Sequence, residues 1–192
     1  MDAAENLNSP RERILQAATD LFYGQGIRAV GVDLIIATAK VAKASFYKYF
    51  PAKDDLVVAF LQEQDVAWRV WIDDSTERLS PDPAGRPLAL FDALAERTAQ
   101  GDFRGCPFIN TVIELADPKH QGHKTAEQHR ASNLGQLRDM LDDAGLDGDR
   151  LAPHFALLID GALVTALQER GPAPAMRAKE MAAQLFSASY QP

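Results

Sequence analysis

The sequence predicts an all-α protein in two parts: an N-terminal three-helix domain over residues 1–53 and a larger helical domain over residues 54–192. Three observations carry this expectation. Apolar residues recur at the i, i+3, i+4, i+7 spacing of a helix face in one segment after another, and no segment alternates as a half-buried strand does. Proline and glycine punctuate the chain between those segments, most densely at Ser80-Pro-Asp-Pro-Ala-Gly-Arg-Pro87. Charge is also divided: residues 1–60 hold seven basic and seven acidic side chains, so the other 13 basic and 20 acidic residues account for the whole net charge of -7. Two parts with different partners are implied.

Ile14, Ala17, Ala18, Leu21 and Phe22 share one helix face and Gly24 and Gly26 follow as stops, which predicts a first helix over about 10–24. Val32, Ile35, Ile36 and Ala39 predict a short second helix. Phe46 and Phe50, four apart, predict a third that Pro51 closes. Val57, Phe60, Leu61, Trp68, Trp71 and Ile72 extend the helical period through a long helix over about 54–79, suited to joining two domains. Beyond the proline-rich loop, helices are expected at about 88–100, 104–116, 124–144, 150–170 and 174–188. Gly101, Asp117-Pro118, Gly145-Leu-Asp-Gly148 and Gly171-Pro172 separate them. Such elements bury their stripes helix against helix.

With 46% apolar and 24% charged residues the chain is far from disordered or collagen-like compositions. At 192 residues about 70% of the unfolded surface can be buried, so a core needs neither metal nor disulfide. Cys106, the single cysteine, fits that reading. The polar first ten residues lack the chemistry of a secretory signal, and no run of about 18 apolar residues follows. A cytoplasmic protein with no membrane partner is the expectation. The acidic total argues against nucleic acid only until its distribution is considered, because residues 27–53 hold Arg28, Lys40, Lys43, Lys48 and Lys53 against Asp33 alone.

That basic stretch has the outline of a helix-turn-helix. If Phe46 and Phe50 face the core, then Lys43, Ser45, Tyr47 and Lys48 project elsewhere, beside the small Ala42 and Ala44 that permit close approach. Ammonium, hydroxyl and phenol groups on one helix suit a major groove walled by phosphates. The segment Val32-Asp-Leu-Ile-Ile-Ala-Thr-Ala-Lys-Val-Ala-Lys-Ala-Ser-Phe-Tyr-Lys-Tyr-Phe-Pro-Ala-Lys-Asp-Asp-Leu56 resembles the DNA-binding signature of the tetracycline-repressor (TetR/AcrR) family of transcriptional regulators. Ile35, Ala39, Val41, Tyr47, Phe50, Lys53 and Leu56 fall at its spacing.

The resemblance, which covers about the first 60 residues, implies a homodimer, a recognition helix at about 42–48 and a divergent C-terminal domain for a small effector. It also implies that Lys43 and Ser45 touch bases or phosphates, Tyr47 a phosphate, Lys48 a base edge or phosphate, and Lys53 a phosphate. Two positions depart from the pattern. Lys40 stands where glycine is usual, at a cost of about 1 kcal/mol or more if it turns left-handed. Gly31 replaces the usual Thr or Ser cap of the second helix, which removes a side-chain bond and an expected phosphate contact.

In the acidic part, Phe155, Leu158, Ile159 and Ala162 form a stripe, and Met181 and Leu185 lie on that of the last helix. The resemblance implies that these two helices pair with their copies in the dimer interface; a monomeric core is the alternative. Trp68, Trp71, Phe91, Leu94, Phe103, Cys106 and Phe108 are candidates to line an effector cavity, with Asn110, Thr111 and Glu114 as orienting groups. Plain core packing is the competing reading for each. Cys106 reads as a structural thiol rather than a nucleophile or redox sensor. His120, His123 and His129, with Glu114 and Asp117, read as solvated groups rather than a metal site. No catalytic residue or cofactor is assigned.

The function expected is a ligand-responsive regulator, most simply a repressor. It would bind a palindromic operator of double-stranded DNA as a homodimer and be released by a small hydrophobic or amphipathic effector. The alternative is a helical small-molecule binding protein or enzyme that no longer engages DNA.

Overall fold

The structure is a computed structural model that describes residues 9–188. Helix α1 spans Pro10–Gln25, α2 Val32–Ala39, α3 Lys43–Tyr49 and α4 Lys53–Leu79. After a single 3-10 turn at Pro83–Gly85 come α5 (Arg86–Thr98), α6 (Pro107–Leu115), α7 (Gln121–Asp143), α8 (Gly148–Glu169) and α9 (Ala173–Ala188). No strand occurs among the described residues, so the all-α expectation holds.

Local chemistry sets the helix ends. Ser9 caps α1 in a capping box: its hydroxyl accepts from the Glu12 amide while the Glu12 carboxylate accepts from the Ser9 amide, with Pro10 as the first helical residue. The Ser-Pro-x-Glu run was the available signal for that start. Helix α6 begins at Pro107 rather than near 104, because Gly105 has φ +87° and ends any helical continuity there. Asp147 caps α8 through the Arg150 amide at 3.0 Å.

The chain divides into two compact units. The first runs up to Gln64 and takes in Pro107–Glu127; the second comprises Asp65–Cys106 and the chain from Gln128 onward. The first unit is therefore larger than the expected domain of residues 1–53, since the start of α4, all of α6 and the first turns of α7 pack with it. A boundary placed at the head of α4 could not foresee this, because α6 returns from later in the sequence.

The first unit buries Ile14, Ala18 and Phe22 of α1, Ile35 of α2, Phe46 of α3 and Leu56, Phe60 and Leu61 of α4. Phe22 meets Phe60 edge to face, with ring centroids 5.6 Å apart. In the second unit Ile72, Leu90, Phe91, Leu94, Leu137, Leu141, Phe155 and Ile159 form one core, to which α4, α5, α7, α8 and α9 contribute. Lys179 of α9 donates to both carboxylate oxygens of Asp92 of α5 at 2.7 Å. Helix α8 is, among the described residues, the one helix long and apolar enough to cross a membrane, and much of its apolar side lies in this core.

Candidate nucleic-acid interface

Helices α2 and α3 are joined through Lys40, which is left-handed at φ 52°, ψ 49° and whose N–H donates to the carbonyls of Ile36 and Ala37. The expected strain is therefore present where the family pattern has glycine, and the turn keeps its position. Gly31 caps α2 in an extended conformation without a side-chain bond, as its lack of a hydroxyl requires. Helix α3 likewise starts at Ala42 with no side-chain cap, and ends where the Phe50 amide donates to the Phe46 carbonyl at 2.8 Å.

Helix α3 and its capping residue Phe50 divide into two sides. Phe46 is fully buried and Phe50 nearly so, with ring centroids 6.3 Å apart. Lys43, Ala44, Tyr47 and Lys48 are exposed, at the i, i+1, i+4, i+5 positions of one outward face. Tyr47, 45% exposed, leans edge to face on Phe46 at 5.2 Å, which orients the phenol outward. Lys43 lies 3.4 Å from Asp33, in a pair with both side chains largely exposed, an arrangement worth about 0–1 kcal/mol and easily exchanged for a phosphate. Lys48 rests over the Tyr49 ring at 5.6 Å.

The other two predicted contacts sit differently. Ser45 is half-buried. Lys53 reaches inward: its ammonium donates to the Ile27 carbonyl in the α1–α2 loop and lies over the Phe22 ring at 5.8 Å. Burial pushes the Lys53 pKa below its ordinary value, opposed by the neighbouring carboxylates Asp54 and Glu114. Its four-carbon stem can reach either the loop or a phosphate, and spacing alone does not choose between them.

An exposed aromatic and cationic face on a short helix, held from behind by two phenylalanines and preceded by a tight turn, is the geometry of a helix-turn-helix reading head. Residues 14–60, which form this head, match the family described as "Bacterial regulatory proteins, tetR family". A solved structure of a TetR-family transcriptional regulator from Streptomyces coelicolor is 30% identical, with a TM-score of 0.85. The match covers 95% of this chain and 96% of that one. The chain belongs to the TetR family of transcriptional regulators.

This TetR-family regulator is also similar to the transcriptional regulator AcuR from Cereibacter sphaeroides, 28% identical over 181 residues, which is 89% of this chain and 82% of AcuR. To the transcriptional repressor NemR from Escherichia coli it is 27% identical over 108 residues, 56% of this chain and 54% of that protein.

The ten residues expected around an effector cavity in this TetR-family regulator divide between the two units. Phe91 and Leu94 are fully buried in the core of the second unit. Trp68 and Trp71 stack with centroids 5.0 Å apart, and the Trp68 indole N–H donates to Asn133 Oδ1 at 3.1 Å. Phe103 lies under the Arg97 guanidinium, and Cys106 is half-buried against the same core. Phe108, Asn110, Thr111 and Glu114 belong instead to the first unit, where the Thr111 hydroxyl donates to the Pro107 carbonyl and Glu114 accepts from the Arg28 amide. The second unit does hold an open cavity of about 660 Å³, but it lies along α4 and α7, with a mixed polar and apolar lining. Val66, Val70, Asp73, Glu77, Gln136 and Asp139 are among its lining residues, and none of the ten is. Apolar side chains at helical spacing pack into the protein's own core before they face an open space.

The expected interface residues also need correction. Phe155, Ile159 and Ala162 are buried within the single chain, so that apolar surface is already covered; Leu158 and Leu185 are half-buried, and Met181 is exposed. The outward side of α8 includes Leu157, Gly161, Val164 and Leu167, with Leu157 68% exposed. The helical period of α8 was legible from sequence, but which side faced inward was not.

The histidines are not simply solvated. His129 is 9% exposed, and its Nδ1 lies 2.7 Å from Asp65, whose other oxygen takes Arg69 at 2.9 Å. Burial pushes the His129 pKa below its ordinary value, against the attraction of Asp65. His120 Nδ1 accepts from the Gly122 amide, which leaves the proton on Nε2 to face Asp54 at 3.2 Å. Among the described residues no three such groups gather to hold a metal.

Proposed function

We propose that this regulator is a ligand-responsive repressor that reads a palindromic operator as a homodimer, each protomer setting the Lys43, Ala44, Tyr47, Lys48 face of α3 into a major groove. The observation that carries the reading is the division of α3 itself: phenylalanines anchor one side, and the other offers two ammonium groups and a phenol around an alanine small enough for close approach. Lys53 would release the Ile27 carbonyl or use its remaining donors to meet a phosphate. Repression is favoured by the likeness to NemR, a repressor. The outward stripe of α8, with Met181 of α9, supplies apolar surface for a second copy.

Release follows when a small hydrophobic or amphipathic effector binds one arrangement of the protein more tightly than the other. Support for such coupling lies in the chain path: the segment 107–127 leaves the second unit, joins the first and returns, so both of its ends continue into the second unit. Selection from a random pool of duplexes with the full chain tests the reading. Enrichment of a two-fold symmetric sequence, bound by two chains per duplex in sedimentation, is expected. Failure to enrich any sequence at low salt, or binding as a monomer to a site without symmetry, overturns it.

A further inference from the structure

The loop between α1 and α2 is held from two later parts of the chain. Its Arg28 amide donates to Glu114 Oε2 of α6 at 3.0 Å. Its Ile27 carbonyl accepts from the Lys53 ammonium at the head of α4. Gly26, at φ +90°, comes so close to Glu114 that a Cβ built on it would lie 3.0 and 3.1 Å from the two carboxylate oxygens. Three consecutive loop residues thus meet later parts of the chain: Arg28 is bonded to Glu114, Ile27 is bonded to Lys53, and Gly26 lies close against Glu114.

This grip matters because the reading helices begin without side-chain caps of their own. Val32 opens α2 four residues after Arg28, and neither Gly31 nor Ala42 caps its helix through a side chain. A carboxylate in the last turn of α6 is on the unfavourable end of that helix dipole, so it gains from the loop N–H and the nearby ammonium what its own helix does not provide.

We propose that Glu114 is a positioning residue for DNA reading: it touches no DNA, but it holds the loop that sets where α2 starts and hence how α3 presents its outward face. The proposal rests on the DNA-reading function above. Removing the carboxylate lets the loop sample other arrangements while the cations of α3 stay in place, so sequence-specific affinity falls more than general affinity for duplex.

The test uses the full-length chain and the duplex that the wild type selects from a random pool, with a scrambled duplex of equal length at the same salt. Glu114→Ala is expected to lower the ratio of selected to scrambled affinity at least tenfold, with scrambled affinity within twofold of wild type. In the free protein the Arg28 amide should exchange its hydrogen at least tenfold faster, with the central amides of α1 unchanged. Glu114→Gln keeps an acceptor for that amide but loses the charge opposite Lys53, and should give a smaller loss in the same direction; it also carries the test if the alanine variant does not fold. An unchanged ratio overturns the proposal, as does a parallel fall of both affinities with the unfolding midpoint, the mark of general structural support. If the wild type itself selects no duplex, the DNA-reading function fails and the proposal falls with it, a result distinct from a wild type that selects and a variant that selects equally well.

Discussion

Helices α3 and α8 solve opposite problems. The first has seven residues, no side-chain cap and one fully buried side chain, Phe46. The second has 22 residues, an aspartate cap and apolar contacts along most of its length. An isolated helix of seven residues does not persist in water, because too few hydrogen bonds follow the costly first turn. Contacts from outside therefore maintain α3, and they reach it on one side only. That leaves its other side free of structural duty and open to Lys43, Tyr47 and Lys48. The buried side of α8 runs from Leu151 to Ala166 and builds the core, while Leu157, Val164 and Leu167 remain on its exposed side.

The sharpest way to break this comparison is Phe46→Ala. It removes the one fully buried side chain of α3 and should cost about 3–5 kcal/mol in urea unfolding, with operator binding lost. Phe155→Ala in α8 should cost a similar amount. A loss below about 1 kcal/mol for Phe46→Ala would mean that α3 is held by something other than its buried side. Lys43→Ala tests the free side: operator affinity should fall by about 1–3 kcal/mol and the salt slope should flatten by about one charge. Stability should stay within about 0.5 kcal/mol, because the pair with Asp33 is exposed. Equal binding by the variant would remove Lys43 from the interface.

Smaller effects sharpen the contrast. Lys40→Gly relieves the left-handed turn and should raise stability by about 0.5–1 kcal/mol, net of the extra freedom of glycine in the unfolded chain. A loss of stability would show that the lysine side chain supports the turn. In the second unit, His129 binds its proton less readily when folded than when unfolded, so the unfolded chain takes up more protons as pH falls. Its stabilising contribution is complete above the unfolded pKa of about 6.5 and declines as pH drops through the folded value. Unfolding midpoints should thus decrease from pH 7.5 to 5.5 in the wild type and less so in His129→Gln; equal slopes would assign the dependence to other groups. Smallest of all, Gly31→Ser restores a side-chain cap in open space and should add a few tenths of a kcal/mol, read as a shift in thermal midpoint.

Much of the reading head was legible before any fold was known. The stripe from Ile14 to Phe22 marks α1, the Phe46 and Phe50 pair marks the inner side of α3, and Lys40 marks the turn between α2 and α3, because these depend on neighbours within a few residues. For the candidate cavity residues the sequence leaves two readings open. Phe91 and Leu94 at helical spacing suit a cavity wall and a packed core equally, and the packing of α5 places them in the core. Phe155 and Ile159 failed as interface candidates for the same reason.

Glu114 shows the limit most clearly. Its partner Arg28 is 86 residues away, and a lone carboxylate suggests a ligand as readily as a loop. Hydrophobic period, turn residues and caps act over at most a few turns of chain, so the order of the helices and the kind of protein they build could be read from local pattern. The side of each helix that meets the core, and the residue that grips a loop from far along the chain, depend on which surfaces exclude water together. Only the folded arrangement of the helices settles that.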